Sequence, residues 1–279
     1  MTDATGLLVG LNAGFHETRG VRIRSFERPG PGPPVLLLHG FGGAAWNWAE
    51  LVPLLPGRRL LVPDLPGHGA STPVPAAPTL AAFADAVAPL LDGPADVVGH
   101  SMGGVVGLRL AERRPELVRR LLLAAPAGIS SSSRLGEVFL GLTALLRPGR
   151  IAGRRAERVA ASRRLTRLVF GGLEVSNPDL LSERMIHGFL RGPTMHTDVW
   201  TAARALAADD PRLGLERVRC PVLVLFGGRD RQVPLEDGFE YARRLRAPVR
   251  VIADCGHLLI GERPDVCARA ALEFFSATL

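Results

Sequence analysis

Three side chains in this sequence, Ser101, Asp230 and His257, are of the types that nucleophilic catalysis requires. A serine hydroxyl is a weak nucleophile until a base accepts its proton, and an imidazole serves as that base best when a carboxylate orients it. Each of the three residues lies at or just past the end of a run that predicts a β-strand. Because the carboxyl ends of parallel strands meet at one edge of an open sheet, we expect the three side chains to lie together there.

The strongest local pattern surrounds Ser101, in the segment GHSMG at residues 99–103. Residues 95–98 predict a short buried strand before it, and an apolar helical pattern follows it to about Glu112. A serine on such a sharp turn adopts a strained backbone conformation, and the two glycines let neighbouring segments approach closely enough to hold it. In this strand-turn-helix setting, the segment resembles the nucleophile elbow of the α/β-hydrolase family.

Two further loops carry the same resemblance. The segment HGFGG at residues 39–43 and the segment DLPGHG at residues 64–69 each follow a predicted strand, as they do in that family. The resemblance covers about residues 20–128 and 212–279. Residues between these two parts match no motif of the family.

The resemblance implies a role for each site residue. In the serine-nucleophile, esterase- and lipase-like branch of the family, the acid and then the histidine follow the serine, which is the order of Ser101, Asp230 and His257. It also implies an oxyanion hole built from the backbone amides of Phe41 and Met102. Two such donors stabilise a negative oxygen that appears only in the tetrahedral transition state.

Asp254 is the alternative acid, because it lies three residues before His257. We favour Asp230, since a residue so close in sequence points poorly back at its own histidine. The other six histidines are His16, His39, His68, His100, His187 and His196. Those at positions 39, 68 and 100 lie within the loop motifs, where we expect them to be structural hydrogen-bonding groups. Only His257 follows both the serine and the acid at a strand end.

The order of predicted elements indicates an α/β fold with a mostly parallel central sheet flanked by helices, as the resemblance implies. A hairpin is predicted at residues 15–26, turning at 19–20. The predicted core comprises residues 1–128 and 212–279. Residues 129–211 contain no convincing strand and are predicted to form a helical cap inserted between two strands. The helical runs of this segment are Leu135–Leu146, Arg154–Phe170, Leu180–Leu190 and Val199–Ala208.

The composition fits one ordinary α/β domain with an insertion, because 279 residues are enough to bury a sizeable core. Three cysteines (220, 255 and 267) are an odd number without metal-ligand spacing, so neither a disulfide framework nor a zinc site is indicated. No metal and no cofactor are expected. The sequence contains no stretch of 18 or more apolar residues, which argues against a membrane span. The apolar run at residues 7–11 is too short for a secretory core. We therefore expect a cytoplasmic protein.

The basic residues are unevenly distributed. The formal net charge is +7, and all 34 basic residues are arginine. Between Arg147 and Arg167, eight arginines accompany a single acid, Glu157, with apolar residues interleaved. One interpretation is an amphipathic basic helix that makes a weak contact with an anionic membrane surface or attracts an anionic substrate. The other, which we favour, is a solvated face in an arginine-rich sequence. No recognition motif accompanies the charge, which argues against nucleic-acid binding.

These observations favour a serine hydrolase that cleaves small apolar carboxylic esters through an acyl-enzyme intermediate. A serine at the elbow separates this chain from the dehalogenase and epoxide-hydrolase relatives, which use aspartate there. Carbon–carbon bond hydrolases of vinylogous diketones are the main alternative, although they often carry Asn where this chain has His100. A cofactor-free perhydrolase and a non-catalytic ligand receptor on the same fold are further alternatives. The acyl and alcohol specificity and the oligomeric state cannot be predicted from the sequence.

Overall fold

The computed structural model describes residues 8–75, 78–129, 156–170, 175–191 and 196–277. Eight strands of the described chain form one sheet, in the order β1-β2-β4-β3-β5-β6-β7-β8. The pairs β1–β2 and β2–β4 are antiparallel, and every other neighbouring pair is parallel. In chain order the strands are β1 (Asn12–Thr18), β2 (Val21–Arg28), β3 (Val35–Leu38), β4 (Leu60–Pro63), β5 (Ala95–His100), β6 (Val118–Ala124), β7 (Val222–Gly227) and β8 (Val249–Ile252). The predicted fold class is confirmed.

The predicted hairpin is present at one edge of the sheet. Strands β1 and β2 pair from Asn12 opposite Glu27 to Thr18 opposite Val21. The two residues between them have positive φ angles, 48° at position 19 and 77° at Gly20. Such a two-residue turn matches the right-handed twist of the flanking strands, which is why a glycine there indicates a hairpin.

The central strands are apolar on both faces because helices cover both sides of a parallel sheet. Every residue of β3, β4, β5 and β7 is buried. In the register of the sheet, Leu38 pairs with Gly99, and Gly227 pairs with Ile252. The carboxyl ends of β3, β5, β7 and β8 therefore lie along the same edge, and the loops that follow them carry the predicted site residues.

Nine α-helices lie within the described ranges. They are α1 (Leu80–Val87), α2 (Met102–Arg113), α3 (Ala156–Ala160), α4 (Arg163–Phe170), α5 (Glu183–Arg191), α6 (Val199–Ala208), α7 (Leu235–Leu245), α8 (Leu259–Glu262) and α9 (Pro264–Ser276). None of them is both long and apolar enough to cross a membrane.

Four of these helices, α3 to α6, fall within the segment predicted as a cap, between the parallel neighbours β6 and β7. The predicted helix Val199–Ala208 is confirmed at both ends, and the helix predicted over Leu180–Leu190 begins at Glu183. The run Leu135–Leu146 lies outside the described residues. The run predicted as helical over Arg154–Phe170 is helical over most of its described part, but it is interrupted.

The described part of that run contains two helices, α3 and α4, separated at residues 161–162. The Ser162 hydroxyl accepts a hydrogen bond from the Leu165 amide at 3.4 Å, so Ser162 caps the second helix. Serine side chains that bind nearby amides compete with a continuous helix, and they are preferred at N-caps for this reason.

Candidate active site

Ser101 occupies the turn between β5 and α2. Its φ angle is 51° and its ψ angle −120°, a left-handed conformation that is unusual for a residue with a side chain. The surrounding backbone holds it there, because its amide donates to the carbonyl of Ala124 at 3.1 Å, while its own carbonyl accepts from the amides of Gly104 and Ala127. The residue is 7% exposed. The sequence prediction of a strained serine between a strand and a helix is confirmed.

Two glycines allow the close packing at this turn. A β-carbon at Gly103 would lie 2.1 Å from the carbonyl oxygen of Leu38, so any side chain there would push α2 away from β3. A β-carbon at Gly40 would lie 3.1 Å from the β-carbon of Ser101. The loop after β3 therefore passes directly beside the serine.

His257 and Asp230 are in direct contact at the same edge of the sheet. The imidazole Nδ1 lies 2.8 Å from the Asp230 Oδ2, and both side chains are buried. The other carboxylate oxygen of Asp230 accepts from the amides of Gln232 and Val233, at 2.8 and 2.9 Å. An ionised carboxylate only accepts hydrogen bonds, so His257 carries its proton on Nδ1 and presents the lone pair of Nε2.

The alternative acid lies elsewhere. The carboxylate of Asp254 forms an ion pair with Arg229 at 2.7 Å, and its side chain is 71% exposed. The geometry therefore agrees with the choice of Asp230 over Asp254 as the carboxylate that faces the histidine.

His100, the residue before Ser101, supports the loop of His257. Its Nε2 donates to the backbone carbonyl of His257 at 2.9 Å, and the two rings lie 5.1 Å apart. Burial, with the nearby His257 as a lesser cause, lowers the pKa of His100 to about 3. His100 is therefore a neutral hydrogen-bond donor to the backbone, as expected for a structural histidine.

The loop at residues 39–43 supplies the predicted oxyanion amide of Phe41. His39 donates from Nδ1 to the Gly40 carbonyl at 2.8 Å and accepts from the Leu65 amide at Nε2 at 2.9 Å. The other predicted donor, the Met102 amide, is at the first position of α2, where an amide has no carbonyl of an earlier turn to bind. Both amides thus belong to segments that flank Ser101.

A small cavity, partly open to solvent, is lined by both Ser101 and His257. Its wall also includes Phe189 from α5 and the amide side chains of Asn47 and Gln232. These three residues are not among the predicted site residues. Asn47 and Gln232 closely follow the loop at residues 39–43 and the proposed acid, and this proximity is the signal that could have indicated them. Phe189 reaches the cavity only through the packing of an element distant in sequence, so no motif marks it.

The cysteines lie apart from this chemistry. Cys255 is buried, and burial raises its pKa far above the ordinary value, so its thiol stays protonated. All three cysteines are unpaired thiols. Across the part of the chain that the structure describes, no group of three or more His, Cys, Asp and Glu side chains is arranged to hold a metal ion.

Comparison with known proteins finds relatives both of similar length and of greater length. A pimeloyl-[acyl-carrier protein] methyl ester esterase of Aromatoleum aromaticum is 34% identical over 242 residues, which are 85% of this chain and 95% of that protein. The solved structure of a thermophilic esterase from Thermogutta terrifontis, with malate bound, is 27% identical with a TM-score of 0.70, and the match covers 95% of this chain and 98% of that one.

A third relative is a longer protein. The dihydrolipoyllysine-residue acetyltransferase component of the acetoin cleaving system of Cupriavidus necator is 32% identical over 259 residues, 88% of this chain. This chain spans only 64% of the length of that component. The profile of the Alpha/beta hydrolase family matches residues 35–270. With that match over most of its length, the eight-stranded sheet and the serine turn after β5, this chain belongs to the alpha/beta hydrolase family.

Proposed function

We propose that this protein is a serine hydrolase that cleaves carboxylic esters, with Ser101, His257 and Asp230 as its catalytic triad. The observation that carries the proposal is the 2.8 Å contact between the Asp230 carboxylate and the His257 imidazole, beside a cavity that Ser101 also lines. The esterases among its relatives support the class of substrate.

In the first half of the reaction, Nε2 of His257 accepts the hydroxyl proton of Ser101 as the oxygen attacks the acyl carbon. The amides of Phe41 and Met102 stabilise the negative oxygen of the tetrahedral intermediate. Asp230 stabilises the imidazolium, which then returns the proton to the departing alcohol. In the second half, His257 takes a proton from water as the water oxygen attacks the acyl carbon. The imidazolium then returns that proton to the oxygen of Ser101 as the acyl–serine bond breaks and the acid leaves. Serine and imidazole supply the nucleophile and the proton transfer, so the reaction requires no cofactor.

We further propose that residues 129–211 form a cap that selects the substrate. This assignment is supported by Phe189 of α5, whose ring faces the cavity and packs against Trp46 with 4.9 Å between ring centroids. Apolar contacts of this kind favour a small apolar ester. Cytoplasmic location stays a prediction.

As a second proposal, we infer a weak contact with anionic membranes, which the exposed surface of α4 supports. Leu168 is 77% exposed and Val169 46% exposed, and the arginines at positions 163 and 164 are exposed beside them. A helix that presents apolar and basic side chains together binds anionic surfaces through both groups. The predicted cluster also includes residues 147–155, which lie outside the described residues.

The decisive experiment combines covalent labelling with turnover. An organophosphonate should label Ser101, and the enzyme should turn over a series of p-nitrophenyl esters many times. Labelling followed by a single turnover would favour a ligand receptor. Faster cleavage of a vinylogous diketone than of any ester would favour the carbon–carbon hydrolase, and peroxide-dependent formation of peracids would favour the perhydrolase.

A further inference from the structure

Both polar groups of the Gly42 backbone are bound by imidazoles. The Gly42 amide donates to Nε2 of His68 at 3.1 Å, and the Gly42 carbonyl lies 2.9 Å from Nε2 of His196. Gly42 has a φ angle of 68°, and it directly follows Phe41, whose amide is the proposed oxyanion donor. The two imidazoles therefore hold two successive peptide units of the proposed oxyanion loop, 41–42 and 42–43, directly after the Phe41 amide.

His196 is bonded at both ring nitrogens. Its Nδ1 accepts from the amide of Gly69 at 3.0 Å, so the proton of a neutral ring is on Nε2 and is donated to the Gly42 carbonyl. The ring also packs edge-on against His68, with 5.2 Å between centroids. His196 thus joins the oxyanion loop to the loop at residues 64–69.

His196 belongs to neither of those loops. It lies 154 positions from Gly42, within the segment that we propose as the cap, and shortly before α6. The next two residues anchor the same segment to the core, since the Thr197 hydroxyl donates to the Ser71 carbonyl and the Asp198 amide donates to the Gly67 carbonyl.

From this geometry we infer that His196 is a positioning residue for the oxyanion hole, through which the cap segment sets the orientation of the Phe41 amide. The inference rests on the proposed function of Ser101, His257 and Asp230. Its physical basis is that an oxyanion donor acts only when it is aimed at the position of the developing charge. The Gly42 carbonyl belongs to the peptide whose amide, that of Gly43, donates to the Gly40 carbonyl at 3.1 Å, and that carbonyl is in the same peptide as the Phe41 amide. Loss of the His196 bond therefore loosens the peptide that carries the Phe41 amide.

The test compares three variants with the wild type on a p-nitrophenyl ester. His196→Ala removes both hydrogen bonds and should lower kcat by about 10- to 100-fold, less than the ~100- to 1000-fold that follows loss of an oxyanion donor itself. KM should change by less than about threefold, because the oxyanion exists only in the transition state. His196→Gln, whose amide can still donate to the Gly42 carbonyl, should recover part of the loss.

Thr197→Val is the matched control. It removes a hydrogen bond between the same segment and the core without touching Gly42, so kcat should stay within about threefold of the wild type, as for an interaction that the transition state does not use. Equal losses in Thr197→Val and His196→Ala would overturn the inference, because the effect would then come from general loosening of the segment.

A second measurement is independent of activity. Two-bond nitrogen–proton NMR spectra of histidine-labelled protein should show His196 with its proton on Nε2 and His68 with its proton on Nδ1, both neutral at pH 6. The other titratable groups that act on His196 are Asp64, which is paired with Arg24, and the imidazole of His39, while His68 packs against its ring. A protonated His196 at pH 6, or a proton on its Nδ1, would overturn the inference even if the triad is correct. Wild-type protein without ester turnover would instead overturn the proposed function.

Discussion

The carboxylate of Glu262 accepts a hydrogen bond of 2.9 Å from the amide of Gly256, the residue before His257. Its other oxygen accepts from the amides of Ser176 and Asn177, at 3.1 and 2.9 Å. The side chain is buried, and this burial raises its pKa against the opposing effect of the three amides. One carboxylate therefore joins the loop of the proposed base to the segment that precedes α5.

Replacing Glu262 with Gln should destabilise the protein and slow catalysis. A glutamine keeps one acceptor oxygen for three amides, and each buried amide left without a partner costs about 1–3 kcal/mol. We expect Tm to fall by about 2–4 °C for each kcal/mol lost and kcat to fall several-fold. Glu273→Gln is the control, because that exposed carboxylate pairs with Arg250 at the surface. Indistinguishable melting curves for the two variants would contradict this account.

Ser101→Ala and His257→Ala should each abolish nearly all ester turnover, and the double variant should be little worse than either. The members of a triad act as a unit, so their losses are not additive. Initial rates on a p-nitrophenyl ester, with circular dichroism as a check of folding, provide the measurement. Retention of more than about a tenth of the wild-type kcat in Ser101→Ala would exclude it as the nucleophile, whose loss normally costs orders of magnitude.

Asp230→Asn should lower kcat strongly with the fold intact, while Asp254→Asn should change it little. A carboxylate fixes the proton of His257 on Nδ1 and stabilises the charged ring, and an amide does neither well. The two variants are a matched pair, since each removes one negative charge near the same loop. Comparable losses of kcat would leave the acid unassigned, and a larger loss in Asp254→Asn would reverse the assignment.

The positions of Ser101, Asp230 and His257 could be predicted because each follows a short apolar strand and parallel strands align their ends. The chemistry of those residue types then restricted their roles. Asp254 also follows a strand, but its position three residues before His257 argues against it as the acid, and its exposed pairing with Arg229 agrees with that choice.

The contacts of His196 and Glu262 could not be predicted in this way. Each joins segments more than 80 positions apart, and no periodicity or motif links a single imidazole or carboxylate to a backbone group at that distance. The break between α3 and α4 escapes prediction for a local reason. The helical pattern continues through residues 161–162, and only the side-chain hydrogen bond of Ser162 distinguishes a cap from an interior serine.

Acid should destabilise the protein through its buried imidazoles. Burial lowers the pKa of His39 to about 4, that of His196 to about 4, and that of His68 well below its ordinary value. Between about pH 6.5 and pH 4 the unfolded chain binds protons that the folded protein does not, so the free energy of unfolding falls as the pH falls. Urea unfolding across this range should show a slope of up to ~1.4 kcal/mol per pH unit for each such histidine.

A histidine variant separates this effect from the titration of carboxylates. His196→Gln should reduce the slope by about one proton, because it removes one depressed imidazole and leaves the acids unchanged. An unchanged slope in His196→Gln would show that this imidazole does not contribute.

The arginines of α3 and α4 should affect encounter with charged partners and not the chemistry. The triple variant of Arg158, Arg163 and Arg164 to Gln should keep kcat on a small neutral ester within about threefold, because surface charges act mainly on association. It should bind anionic vesicles less tightly than the wild type, and this difference should shrink with salt, since exposed charges are screened beyond roughly 8 Å at physiological ionic strength.

The control is the triple variant of the arginines at 243, 244 and 246, which removes the same charge from the C-terminal end of α7. Equally reduced vesicle binding by both triple variants would mean that net charge alone matters. Vesicle binding unchanged in both would favour the interpretation of the basic cluster as a solvated face. A collapse of kcat on the neutral ester would place the arginines of α3 and α4 in the active site.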